Sequence, residues 1–300
     1  MTSDGLILAV DIGGTKMAAG LVGHDGVPLG HHRVATPRSD DGDALFATLA
    51  RLIDTALDDR PPSGPPVVAC GAGCGGPMTI GGATVSPTNI GAWRGFPLHD
   101  RLAEYTSLPT FVDNDAKALA LGEGWRGAAR GVANYLGMVV STGVGGGLVV
   151  DGRLLDGADS NAGHIGHIIV EPDGHLCGCG AVGCLEAEAS GTAIARITGR
   201  PAQEADADTI VRTGTMVGRA VASVASLLDL QLAVVAGSVA LGFGEPFFAA
   251  AQAEIGARAH LDFSRGAVIR AAGLGADGPL VGAAAVGWRH LGIDVLGRSA

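Results

Sequence analysis

Two stretches of this chain repeat one design. LAVDIGGTKMAAGLV (Leu8 to Val22) and MVVSTGVGGGLVV (Met138 to Val150) both read as strand, glycine turn, strand. Leu6 to Asp11 is apolar enough for a buried strand, Gly13-Gly14 supplies the turn, and Met17 to Val22 returns. A third strand is predicted near Leu29 to Thr36, after the turn at His24 to Gly26. A helix follows from Asp43 to Leu57, with Leu45, Leu49, Leu52 and Ile53 on one face. RPPSGPP (Arg60 to Pro66) stops it and leads into a strand from Val67 to Gly73. After a loop-rich stretch, Thr110 to Asp113 reads as a short strand and Asp115 to Trp125 as a helix. In the second half, Leu232 to Ser238 is a strand between helices around Thr215 to Leu228 and Glu245 to Arg258. Two copies of one α/β unit imply two lobes with a cleft between them, where ligands commonly bind. The expected division is 1–114 for an amino-terminal lobe and 115–285 for a carboxy-terminal one, with a helix at about 286–300 packing back on the first.

Charge and cysteine usage exclude several classes. A net charge of -10 offers no broad basic surface for nucleic acid. The five-residue apolar run before Asp11 is neither a signal peptide nor a membrane span, and no later segment approaches the ~18 apolar residues a span needs. A cytoplasmic protein, without nucleic-acid or membrane partners, is expected. Five cysteines, three of them clustered, do not make a disulfide framework, and a reducing compartment favours thiolate ligation of metal. Cys70 and Cys74 are expected to be free core thiols.

A turn rich in glycine can aim successive N–H groups at one anion. Alone, each turn is better explained as a hairpin that needs positive φ. Facing each other, the pair favours a polyphosphate. Around Gly13 and Gly14, Asp11 offers a carboxylate for a magnesium ion or its water, Thr15 a hydroxyl and Lys16 an ammonium. The second turn, STGVGGG, contributes Thr142, Gly143 and Gly145; neither turn has the P-loop pattern. VDND at Val112 to Asp115 ends a strand ahead of a helix, where simple capping is the plain reading. The chemical alternative makes Asp115 the base that takes a proton from a substrate hydroxyl, with Asn114 contacting sugar hydroxyls.

HIGHIIVEPDGHLCGCGAVGCLE, residues 164–186, holds three of the five cysteines. His167, Cys177, Cys179 and Cys184 form a closed set of one imidazole and three thiolates, which suits structural zinc; a catalytic zinc keeps a position open for water. A zinc hydrolase therefore conflicts with the ligand count. His175 and Glu188 are expected to be solvated.

DIGGTK, NDAKALALGE, STGVGGG and GHIGHIIVEPDGHLCGCGAVGCLEAEASG, in this order and spacing, resemble the ROK family of bacterial sugar kinases and sugar-responsive repressors. The resemblance implies an α/β, actin-like and ribonuclease H-like fold with mixed sheets. It also implies ATP and Mg2+ in the interlobe cleft and transfer of the γ-phosphate to a hexose C6 hydroxyl. It assigns the same four zinc ligands, turns the second nitrogen of His167 toward the sugar, and holds Glu186 to accept sugar hydroxyls. By the same carry-over Gly76, Thr88 and Asn89 approach the sugar, and Gly237 and Ser238 lie near the adenosine; Ala236 stands where the family usually has glycine. A homodimer is expected. His164 departs from the Glu general among ROK glucokinases, and GHIGH resembles the bacterial N-acetylmannosamine kinases. An imidazole can donate one bond and accept another, which suits an acetamido carbonyl better than a row of hydroxyls. The resemblance therefore implies an N-acylhexosamine, N-acetylmannosamine first, with glucose as the alternative. A repressor of the family would carry a helix-turn-helix segment ahead of the first glycine turn, and with ten residues before Asp11 none is expected.

Overall fold

A computed structural model describes residues 5–297. The chain divides into two compact units. The first comprises residues up to Gly131, the segment Asp156–Ala162, and Gly273 onward; the second comprises Val132–Leu155 and Gly163–Ala272.

In the first unit, β1 (Leu6–Ile12), β2 (Lys16–Gly23) and β3 (Pro28–Ala35) form an antiparallel meander. After α1 (Gly42–Asp58), β4 (Val67–Cys74) joins β1 in parallel. After α2 (Leu98–Thr106), β5 (Thr110–Asn114) joins β4 in parallel, giving the order β3-β2-β1-β4-β5. Asp41 caps α1 by accepting from the N–H groups of Asp43 and Ala44. The apolar stripe of α1, with Leu45, Leu49 and Ile53, packs with Leu8, Val10 and Ile12 of β1. The last strand leads into α3 (Asp115–Trp125).

The second unit repeats this topology. A hairpin of β6 (Tyr135–Val140) and β7 (Val144–Val150) is extended by the short β8 (Arg153–Leu154). Three helices follow: α4 (Leu185–Ala189), α5 (Gly191–Thr198) and α6 (Ala207–Leu228). Next come β9 (Leu232–Ala236), α7 (Ser238–Phe243), α8 (Glu245–Arg258) and β10 (Val268–Ala271), giving the sheet order β10-β9-β6-β7-β8. β9 is parallel to both β6 and β10, so each sheet is a meander joined to a parallel extension. The α/β class with mixed sheets expected from the sequence is what the structure has. Among the described residues no helix is long and apolar enough to cross a membrane.

The division between units differs from the expected 114/115 break. The final helix, α9 (Gly278–His290), and α3 both belong to the first unit, where they pack on each other. Their contact surface is made of small residues: a Cβ at Gly282 would lie 2.6 Å from the Ala118 carbonyl oxygen. Only glycine lets the two backbones approach so closely. α9 also covers the face of β1 and β4 opposite α1, so β1 is buried on both sides and reads as the continuous run LILAV. The expected helix at 286–300 begins earlier, at Gly278 with Pro279 in its first turn, and ends at His290. Positions 298–300 of that expectation lie outside the described residues.

Candidate functional site

In the first unit the carboxyl ends of the three parallel strands carry the predicted groups: Asp11 on β1, Gly75-Gly76 after β4, Asn114 as the last residue of β5 and Asp115 directly after it. Ligands of open α/β sheets bind at such ends. A Cβ on Gly73 would stand 3.5 Å from Asp115 Cα and 3.7 Å from Asp11 Oδ1, so the two acids flank one glycine of β4. Burial, then the charge of Asp115, pushes Asp11 up to about 7, with Lys16 and Arg33 acting in the opposite direction. Burial also raises Asp115, partly offset by the N–H bond from Ala116. Asn114 caps α3 through Oδ1, which accepts from the N–H groups of Ala116 at 3.0 Å and Lys117 at 3.4 Å. The plain capping reading thus holds for that oxygen, and its Nδ2 is the group suited to a ligand.

The turn between β1 and β2 is tied back by a residue the sequence did not single out. Thr36 donates its hydroxyl to the Gly13 carbonyl at 2.6 Å and its N–H to the Thr15 carbonyl at 3.1 Å. Two oxygens that would repel an anion are therefore engaged. Thr15 and Lys16 are exposed. Asn89 lies against Gly14, where a Cβ would meet its Cγ at 2.6 Å; the neighbouring Thr88 is exposed. Asn161 accepts from Met78 N–H at 3.3 Å and donates to the Met78 carbonyl at 2.9 Å, which secures the loop after Gly76. The same segment carries Asp156, bonded to Lys117 at 2.8 Å and Arg289 at 3.0 Å.

The second unit has a matching arrangement. The carbonyls of Ser141 and Thr142, between β6 and β7, accept from Gly191 N–H at 2.7 Å and from Thr192 N–H at 3.3 Å, and Thr192 Oγ1 donates to Thr142 at 3.0 Å. Gly143 follows in this turn, and Gly145 pairs with Val139 in the hairpin. Ser141 and Ser238 share a hydroxyl bond of 2.9 Å. Gly237 has a φ of 103°, and a Cβ there would lie 2.3 Å from the Val140 carbonyl oxygen, so glycine is required beside Ser238. His164 and His167 stack with ring centroids 6.1 Å apart, and Glu186 accepts from Val144 N–H at 3.0 Å.

His167, Cys177, Cys179 and Cys184 bring their ligand atoms within 4.8 Å of one another. Cys179 and Cys184 sulfurs are 3.7 Å apart, as are the Cys177 sulfur and His167 Nδ1. Two thiolates on one tetrahedral zinc would be about 3.8 Å apart. Burial and the neighbouring thiols push Cys184 up to about 12, so thiolates this close call for a compensating cation. The donor set fits a four-coordinate zinc, with Nδ1 as the ligand and Nε2 left for another partner. Cys70 and Cys74 are buried free thiols, and burial pushes Cys70 up to about 12.

Glu188 corrects the sequence expectation. It is fully buried rather than solvated, and its carboxylate accepts from His175 N–H, from His175 Nδ1 at 3.0 Å and from Arg212. Arg212 also donates to the Glu188 carbonyl at 3.0 Å, and Arg196 to those of Leu176 and Ala187. Arg196 of α5 and Arg212 of α6 thereby tie down the cysteine loop through side-chain bonds. Alternation in the sequence carries no sign of these partners.

The chain is similar to known proteins in sequence and in fold. The model of the ROK family matches residues 7–289. A glucokinase of Halalkalibacterium halodurans is 41% identical over 197 residues, 65% of this chain and 59% of that protein. An N-acetylmannosamine kinase of Escherichia fergusonii is 36% identical over 252 residues, covering 79% of this chain and 84% of the relative. The crystal structure of a ROK family glucokinase from Streptomyces griseus, in complex with glucose and AMPPNP, superposes with a TM-score of 0.81 at 33% identity. That match covers 93% of this chain and 98% of the other.

Proposed function

The chain belongs to the ROK family, and from that premise we propose that it is a sugar kinase transferring the γ-phosphate of ATP to the C6 hydroxyl of a hexose. The observation that carries the reaction is the pair of half-buried acids, Asp11 and Asp115, flanking Gly73 beside a glycine turn whose carbonyls are tied back. Asp115 is the base: burial raises its proton affinity, which suits a group that must take the hydroxyl proton near neutral pH. Asp11 is the acid for a magnesium ion, which would supply charge neutralisation to the phosphates when bound. Backbone N–H groups at Gly13, Gly14, Thr142, Gly143 and Gly145 serve the phosphates, with Thr15 and Lys16; Gly237 and Ser238 serve the nucleoside. Gly76, Thr88, Asn89, Asn114, His164, His167 and Glu186 contact the sugar. A structural zinc on His167, Cys177, Cys179 and Cys184 would fix the imidazole so that Nε2 meets a sugar hydroxyl. The reading places the protein in the cytoplasm, where such thiolates persist.

N-acetylmannosamine is the leading substrate, because His164 offers an acetamido carbonyl the donor that a carboxylate lacks. Glucose is the second reading, favoured by the relatives named glucokinase. An ADP-release assay across N-acetylmannosamine, N-acetylglucosamine, glucose, mannose and fructose tests both. The highest kcat/KM should fall to N-acetylmannosamine; a preference for glucose selects the second reading, and no release with any sugar refutes a sugar kinase.

A further inference from the structure

Glu186 serves two neighbours inside its own unit. It is the second residue of α4, whose N-cap is the metal-ligand candidate Cys184, and its Oε2 accepts from Val144 N–H at 3.0 Å. The fit is close. A Cβ at Gly143 would lie 2.9 Å from that same oxygen, and one at Gly166 would lie 2.4 Å from the Val144 carbonyl oxygen and 3.4 Å from Glu186 Cβ. Glycines at 143 and 166 are thus what allow the nucleotide turn, the His164–His167 loop and this carboxylate to touch.

The first half of the turn is pinned by groups with no part in the sugar set: Gly191 and Thr192 hold the carbonyls of Ser141 and Thr142, and Ser238 meets the Ser141 hydroxyl. The Gly143–Val144 peptide is different. Its carbonyl accepts from Ser141 N–H at 2.9 Å, and its N–H goes to Glu186. One side chain of the proposed sugar site therefore sets the position of a peptide in the proposed phosphate turn.

We infer that Glu186 is a positioning residue for the nucleotide turn as well as a sugar contact, so that sugar and nucleotide bind with mutual dependence through the Glu186–Val144 bond. The inference rests on the kinase reading above. A carboxylate has two oxygens and several acceptor sites, so a sugar hydroxyl can donate to it while Val144 N–H remains bound. Ordering Glu186 with sugar then leaves less freedom to be lost when nucleotide binds, and linkage makes the effect reciprocal.

The test is calorimetric titration of a non-hydrolysable ATP analogue with Mg2+, with and without saturating N-acetylmannosamine and, in parallel, glucose. The proteins are the parent, Glu186→Gln and Glu186→Ala, each checked for parental metal content and circular dichroism. In the parent, sugar should tighten the analogue by about fivefold or more. Glutamine retains an oxygen for Val144 N–H, so its sugar-free Kd should stay within about twofold of the parent. Alanine should weaken the sugar-free Kd by about fivefold or more and abolish the tightening. Should the alanine variant fail to fold, hydrogen exchange on the parent decides: sugar alone must slow the amides of residues 142–146, and unchanged exchange overturns the inference. Equal analogue affinity in the parent and a folded alanine variant overturns the coupling and leaves the kinase reading intact. A parent that binds neither analogue nor sugar overturns both.

Discussion

Lys117 is 1% exposed, and its ammonium lies 2.8 Å from Asp113 and 2.8 Å from Asp156. Lys117→Met keeps the stem and removes the charge. Asp113, only 8% exposed, is then left with its bond to Asn114 N–H, whereas Asp156 is 43% exposed and keeps Arg289. Stranding one member of a buried pair costs about 3–5 kcal/mol, while a half-exposed pair contributes under about 1 kcal/mol. The loss should therefore arise at Asp113: about 3–5 kcal/mol for Lys117→Met and about 1 kcal/mol or less for Asp156→Asn. Lys117→Met combined with Asp113→Leu removes both buried charges and should recover most of the deficit, since apolar replacement of a buried pair is often neutral. Urea unfolding read by tryptophan fluorescence suits the purpose, because Trp93, Trp125 and Trp288 all belong to the first unit. The midpoint should shift without a change in slope. A single variant within about 1 kcal/mol of the parent, or a double variant no better than the single, would refute the reasoning.

Three further outcomes are expected. Cys179→Ser should lower metal content from about one zinc per chain and weaken sugar binding, while the bonds of Glu188 and Arg196 keep the second unit folded; a fully active, metal-free parent would contradict the zinc assignment. His164→Glu should raise kcat/KM for glucose relative to N-acetylmannosamine by roughly tens to thousands, from bonds to a charged group gained with one sugar and lost with the other; an unmoved ratio makes His164 a bystander. Asp11, raised to about 7 in the folded protein, contributes stability that is fully present below about pH 4 and is lost as pH rises through about 7. Melting temperatures of the ligand-free Asp11→Asn protein should accordingly rise relative to the parent across that window and run parallel above it, and a constant difference from pH 4 to 8 would contradict the shift.

What could be read from sequence followed local pattern. The two hairpins with glycine turns, the stripe of α1 and the Cys3His spacing each lie in one short window, and the structure has all three. Helices without an amphipathic stripe were harder to place. Ten of the eleven residues of α3 are buried, Lys117 and Glu123 among them, so nothing local assigns it to the first unit. The start of α9 lies in a run of glycine and alanine whose role is close packing. The first turns of α6 carry no clear sequence signal because Thr and Gly dilute the period before Thr215, although Asp206 caps them by accepting from Thr209 N–H. Residues acting across long separations were invisible for the same reason: Glu188 needs Arg212, and Asn161 needs Met78.

Asp115 is the proposed acceptor of the sugar hydroxyl proton, and Asp115→Asn probes that role. The substitution keeps the side-chain shape while removing its capacity to accept a proton. Single-turnover phosphorylation with saturating sugar and Mg·ATP should slow by at least the ~100-fold that general base catalysis typically supplies, while sugar affinity stays near the parent value. A turnover rate within a few-fold of the parent would show that Asp115 is not the base.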